Sequence, residues 1–326
     1  MKKLLLTFVA LVCATVSYAQ QQLVATLTHG DEITMFYGTY AYRDAMNAAA
    51  DGDVINLSGG NFQATTINKA VSIRGAGVEA NQPTFIVGSF DINIPAESTE
   101  RLTMEGLGFS SALYLGGTLK DAYFIKSLFS QVFINSNSQV TNSMFVNSRI
   151  NEFRMDASGS PVLCQFMNSL VKNVSVTDNS NLSANFINCV VTHEDLNYIN
   201  YSTFLNCILV KTNYFGHPLP STSSAFNCVA IISNENLNAF DNISAGQNNR
   251  CIYDFSIFTD SDYGKDLTDE AKATYLGSDG TPVGMYGGPL PFSFTPTYPQ
   301  ITKMNVASKT TADGKLSVDI EVSAAQ

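Results

Sequence analysis

From residue 124 to residue 231 the chain repeats one order of apolar and polar positions. Phe, a spacer, Asn, Ser or Cys and then aliphatic residues recur as SMFVNSRI, QFMNSLV, NFINCVV, TFLNCIL and AFNCVAI. Phe124, Phe145, Phe166, Phe186, Phe204 and Phe226 follow one another at intervals of 21, 21, 20, 18 and 22 residues. A period near 20 with small changes of length is the mark of a solenoid. The Leu-x-x-Leu-x-Leu pattern of leucine-rich repeats is absent, and units full of Asn, Ser, Thr, Val, Ile and Phe do not suit helical repeats. Each unit also carries a second alternating run: Val132-Phe133-Ile134, Phe153-Arg154-Met155 and Val174-Ser175-Val176. Short strands broken by Asn, Ser and Gly predict a parallel coil with turns stacked about 4.8 Å apart.

In such a coil the Phe points inward and stacks on its counterparts. Asn147, Asn168, Asn188, Asn206 and Asn227 then fall where the chain must bend, and Asn tolerates the left-handed backbone a bend requires. Their amides are expected to bond to the Asn of the next turn. Ser127, Ser148, Ser169, Cys189, Cys207 and Cys228 share the following column. The expectation there is a small residue, with cysteine serving as a compact buried hydrophobe and remaining a free thiol.

The two ends depart from the repeat. Tyr42 to Ala50 reads as a short Ala-rich helix stopped by Asp51-Gly52, placed to cover the open end of the coil. After Cys251 the periodicity fails, and Pro289, Pro291, Pro296 and Pro299 crowd one stretch that reads as a semi-rigid linker. Leu316, Val318, Ile320 and Val322 alternate with polar residues, and Thr311 to Lys315 supplies a turn, so two antiparallel strands are expected. The resulting division is 1–19 a leader, 20–39 a lead-in, 40–259 the capped coil, 260–299 its exit and linker, and 300–326 the tail.

Composition narrows the function. MKKLLLTFVALVCATVSYA has a charged start, a short apolar run and a Ser17-x-Ala19 cleavage site, so an exported protein cut after Ala19 is expected. No later run is long enough to span a bilayer. The formal charge of −10 argues against nucleic acid and anionic membranes as partners. A surface rich in Asn, Ser and Thr suits contact with a polysaccharide or a cell-surface protein.

The stretch GDVINLSGGNF followed by INKAVSIRGAG, with a helix ahead of it, resembles the N-terminal cap and first turns of pectin-lyase-like right-handed parallel β-helix proteins. It is most similar to a group of uncharacterised exported β-helix proteins of gut Bacteroidetes. TLTHGDEI near the start and YGGPLPF at 286–292 agree with that resemblance. The expected fold is all-β: a right-handed parallel β-helix with an N-terminal capping helix and a short antiparallel C-terminal tail. The resemblance implies no single activity, because this fold carries lyases, hydrolases, adhesins and tailspikes.

Lyases of this fold use carboxylate-bound calcium with an Arg or Lys base, and its hydrolases use close carboxylate pairs. Arg154, Asp156, Asp178, Asp195 and Tyr198 are the candidate ligand-binding residues, placed near matching offsets from the Phe column. The Arg-x-Pro-x-x-Arg run of pectate lyases is absent, and His29-Gly30 precedes the cap, away from any hydrolase motif position. Asp260, Asp262 and Asp266 have the first spacings of a calcium loop, but Gly264 and Lys265 break its pattern, so calcium is a weak candidate and no other cofactor is expected. The reading is a non-catalytic surface protein that binds glycan or a protein partner or acts as a spacer. The alternative is a polysaccharide lyase or glycoside hydrolase working from the outer face.

Overall fold

The structure, a computed structural model, describes residues 23–134, 138–156, 162–176, 182–211, 216–259, 266–306, 309–310, 313–315 and 317–323. The expected leader at 1–19 lies outside them. Within them the alternating runs wind into a parallel coil with three faces. The first face is a twelve-stranded sheet: an antiparallel hairpin of β1 (Val24–His29) and β2 (Glu32–Tyr37), then parallel strands from Val54–Leu57 to Ala245–Gln247. The second runs from Gly60–Gln63 to Arg250–Ile252. The third is shorter: Phe90–Ile92, the ends of Gly108–Leu115 and Leu128–Ile134, then Phe153–Met155 and Val174–Val176. Two long strands turn from the second face to the third, with a register shift between Phe129 and Gln131. At about 4.8 Å per turn the coil is roughly 43 Å long.

Phe124, Phe145, Phe166, Phe186 and Phe204 are buried and stacked, with centroids 4.6, 5.1, 4.7 and 5.0 Å apart. Phe226 does not join them. The register sets Phe204 opposite Ala225 and Leu205 opposite Phe226. AFNC lacks the spacer of the other units, so keeping Asn227 and Cys228 at the bend moves Phe226 off the inward position.

The bend asparagines are left-handed as expected, with φ between 48° and 54° at Asn147, Asn168, Asn188, Asn206 and Asn227. Their amides mostly do not form the expected ladder; among the described residues the rung from Asn248 to Asn227, 3.1 Å, is the one seen. The proline-rich stretch instead returns along this corner of the coil. Asn147 donates to the Leu290 carbonyl at 3.1 Å, Asn168 donates to Met285 and Gly287, and Asn206 accepts from the Ser278 N–H at 2.9 Å. The strap continues to Glu105, which accepts from the Thr297 N–H at 2.5 Å and its hydroxyl at 3.0 Å. It reaches Gly75, whose carbonyl accepts from the Tyr298 hydroxyl. Gly106 makes room: its φ is +68°, and a Cβ there would lie 2.8 Å from that hydroxyl. The residues expected as a linker therefore supply backbone groups that a buried corner would otherwise leave unpaired.

The Ser/Cys column obeys a stricter rule than size. Ser127, Ser148 and Ser169 donate to the carbonyl two residues earlier, at 2.8, 3.0 and 2.8 Å, and so do the thiols of Cys189, Cys207 and Cys228 at 3.2, 3.3 and 3.2 Å. Several of the same atoms accept a backbone N–H from the neighbouring turn, as in Ser148 to Ser169 at 3.0 Å and Cys207 to Cys228 at 3.4 Å. Hydroxyl and thiol interchange because each is donor and acceptor at once. These thiols are free and buried, and burial holds those of Cys207 and Cys228 well above their ordinary pKa.

The N-terminal end and the outer side of the second face are covered by segments outside the repeat. α1 (Ala41–Ala48) buries Ala41, Tyr42, Ala45 and Met46, and the Lys69 ammonium donates to the Met46, Asn47 and Ala49 carbonyls at 3.1, 2.8 and 2.5 Å. A cation there complements the negative end of the helix. Leu170, Val190, Ile208 and Val229 on the second face are buried against Ile257, Phe258, Val283 and Met285, beside α2 (Asp269–Thr274). Gln300–Val306 pairs antiparallel with Val318–Ser323, giving the expected tail hairpin. No helix among the described residues is long and apolar enough to cross a membrane.

Candidate functional site

The third face carries a column of outward side chains. Strand registers place Asp91 beside Tyr114, Tyr114 beside Phe133, Phe133 beside Arg154, and Arg154 beside Ser175. The bridge from Val176 to Ile199 then sets Ser175 beside Tyr198. Their flanking residues, such as Phe153 and Met155, are buried, whereas Arg154 and Tyr198 are exposed. The Tyr114 and Phe133 rings lie 5.6 Å apart at 46° and are half-buried. The expected offsets placed Asp195 in this column; Tyr198 occupies the place. Lys172 pairs with Thr192, so the chain takes four residues to reach Val176 but seven to reach Ile199. The three added residues displace Asp195.

Arg154 and Asp156 form an ion pair across the edge of the column, and the second Asp156 oxygen is buried with no hydrogen-bond partner among the described residues. Asp156 therefore stands in contact with Arg154. Asp178, Asp260 and Asp262 lie outside the described residues. Asp266 accepts from the Lys272 ammonium at 2.7 Å and from the Leu267 N–H at 2.8 Å, so its carboxylate is already engaged.

Asp195 begins the 3-10 turn Leu196–Tyr198 and accepts the Asn197 N–H at 3.2 Å. Its carboxylate also accepts from the His217 N–H at 2.7 Å and from His217 Nδ1 at 2.8 Å. Partial burial pushes this carboxyl up, but the His217 and Asn197 bonds outweigh it and hold it below the usual carboxylate value. His217 keeps most of its surface exposed, with Nε2 not engaged by Asp195. On the other side the Asp195 N–H donates to His193 Nδ1 at 2.9 Å, and the His193 ring lies 5.5 Å from that of Tyr198. Burial lowers the His193 pKa against the pull of Asp195 and Glu194. Beneath them Lys211 is wholly buried, packed so close under Gly216 that a Cβ there would lie 2.6 Å from its Cε. Burial lowers the Lys211 pKa, opposed by the Asp195 charge.

Beyond Tyr198 the face opens into a polar groove of about 560 Å³ lined by Asn197, Asn200, Pro220, Ser221, Thr222 and Asn242. It crosses successive turns, and the Thr222 hydroxyl donates to Asn200 Oδ1 at 3.0 Å. Its amides and hydroxyls form a neutral hydrogen-bonding surface, and Tyr198, next in sequence to Asn197, is exposed. Among the described residues no three His, Cys, Asp or Glu side chains cluster as metal ligands.

Sequence reasoning missed Tyr114, Phe133, Lys211 and His217. The first two were within reach: Leu113-Tyr114-Leu115 and Val132-Phe133-Ile134 alternate, so the aromatic in the middle must face outward when its neighbours face in.

No family model and no curated protein matches the chain. Among solved structures it is similar to the crystal structure of pectate lyase Pel9A, at 14% identity and a TM-score of 0.29, over 77% of this chain and 83% of that one. The parallel β-helix is established by the strand registers themselves.

Proposed function

We propose that this is an exported, non-catalytic β-helix protein that binds glycan along the third face. The supporting observation is the outward column from Tyr114 and Phe133 through Arg154 to Tyr198, leading into the amide- and hydroxyl-lined groove. A sugar ring offers an apolar face and a rim of hydroxyls, which matches aromatic planes flanked by neutral hydrogen-bonding groups. The described carboxylates of the original patch favour this reading over catalysis, since Asp156 is paired with Arg154 and Asp195 accepts three hydrogen bonds.

A second reading, a lyase or hydrolase at the same face, draws on the Asp195–His217 pair. A carboxylate on Nδ1 with Nε2 toward the surface is how a histidine is oriented for proton transfer. One experiment separates the two. The protein is screened against a polysaccharide array, and each polysaccharide is incubated with it and examined for new reducing or unsaturated ends. Binding without new ends is the expected result. New ends that disappear with His217→Ala replace it with the enzyme reading, and no binding at all removes glycan as the ligand.

A further inference from the structure

Two strands at one end of the molecule carry apolar side chains at alternate positions that are about half exposed or more. β2 is the edge of the twelve-stranded sheet, pairing with β1 on one side alone. Ile33, Met35 and Tyr37 alternate along it and are 67%, 55% and 55% exposed. In the tail hairpin Val318, Ile320 and Val322 alternate in the same way and are 47%, 49% and 59% exposed. Each strand has six residues. A free edge with an apolar stripe is what sheet proteins ordinarily blunt with charge, proline or a covering element.

Their placement relates them. Register runs straight across the sheet from Met35 to Thr26, from Thr26 to Asn56 and from Asn56 to Arg74. The Arg74 guanidinium sits 5.6 Å from the centre of the Tyr298 ring, where the strap ends and the tail begins. The tail thus leaves the coil about three strand spacings, roughly 14 Å, from the middle of β2. The strap carries it back from the far turns to the end where the open edge lies.

We infer that β2 is the docking site for the tail hairpin of a second copy of this chain, with the strand Val318–Ser323 added to the edge of the sheet. Among the described residues of one chain, β2 pairs with β1 alone and the hairpin strands pair with each other. Reciprocal exchange between two copies covers the β2 edge, the outer edge of Val318–Ser323 and both stripes in a closed two-fold dimer, with Gln300–Val306 as the outermost strand. Three apolar residues at alternate positions on each strand then meet on one face of the joined sheet.

The test is the solution mass of the full exported chain by light scattering. The expected mass is that of a dimer, and Met35→Lys and Ile320→Lys each reduce it to a monomer with the coil's circular dichroism unchanged. A second measurement mixes chains carrying Met35→Cys with chains carrying Ile320→Cys under mild oxidation; a disulfide-linked pair forms only in the mixture of the two. A monomeric wild-type chain overturns the inference. So does a dimer broken by Met35→Lys but not by Ile320→Lys, which would be edge-to-edge pairing of β2. A doubly substituted chain that cross-links within itself at monomer mass also overturns it, because its own tail then covers its own edge.

Discussion

Asn168 donates its side-chain amide to two carbonyls of the returning strap, Met285 at 3.0 Å and Gly287 at 2.6 Å, while its own backbone is left-handed at φ 48°. One residue therefore makes the bend and holds the strap. Asn168→Gly keeps the bend and loses the amide, at about 1–3 kcal/mol for buried groups left unpaired. Asn168→Ala adds roughly 1–2 kcal/mol for the left-handed backbone. Urea unfolding should rank wild type above Gly above Ala; equal losses for the two variants would show that the bend costs nothing.

Cys207→Ser should be nearly neutral, because a hydroxyl can donate to Leu205 and accept from Cys189 as the thiol does. Cys207→Ala removes that donor and acceptor from a buried site and should cost about 1–3 kcal/mol. In the native protein a thiol reagent should react slowly with Cys207 and Cys228, whose burial keeps them protonated, and quickly once urea unfolds the chain. Fast reaction in the folded state would contradict their placement.

Phe133 and Phe153 are one turn apart in sequence but on opposite sides of the wall. Phe153 is buried against Phe166 at 4.9 Å, so Phe153→Ala should cost about 3–5 kcal/mol. Phe133→Ala should cost far less and should weaken glycan binding instead. Thermal melts of the two variants read the difference directly.

Acid should release the loop held by Asp195. Its folded pKa lies below the unfolded value, so it contributes stability above about pH 4 that is lost as pH falls through the folded value. Asp195→Asn should therefore be less stable than wild type at pH 7 and approach it as the pH falls through the folded value. A gap that stays constant over that range would show that ionisation of Asp195 does not matter.

On the third face, Tyr198→Ala and Arg154→Ala should each weaken glycan binding by roughly tenfold, about 1.4 kcal/mol, without lowering the melting temperature by more than a few degrees. Isothermal titration with the strongest ligand from the array measures this. Lys120→Ala, on a different part of the surface, serves as the control and should bind as wild type does.

Much of the coil was legible in the chain because its determinants are local and periodic. Phe145, Asn147 and Ser148 each follow from one turn of sequence, and stacking multiplies the signal. What depends on distant segments was not legible. The partner of Asn147 is Leu290, 143 residues away, so the asparagines were assigned to one another when they belong to the strap. The site suffered likewise: three added residues before Ile199 exchange Tyr198 for Asp195 in the column, and no offset from the Phe ladder reveals them. His217 meets Asp195 across 22 residues through a loop without repeat character. Phe226 is the opposite case, since the missing spacer in AFNC was already visible.

A solenoid whose turns touch only their neighbours unravels turn by turn from whichever end is pulled. The strap changes that mechanical behaviour. Its contacts at Asn206, Asn168, Asn147, Glu105 and Gly75 tie many turns to one continuous length of chain running beside them. Tension along the axis loads this length as a splint, and one turn cannot peel away until the bonds beside it yield. A rod built this way should resist force up to a single high threshold and then fail in one event.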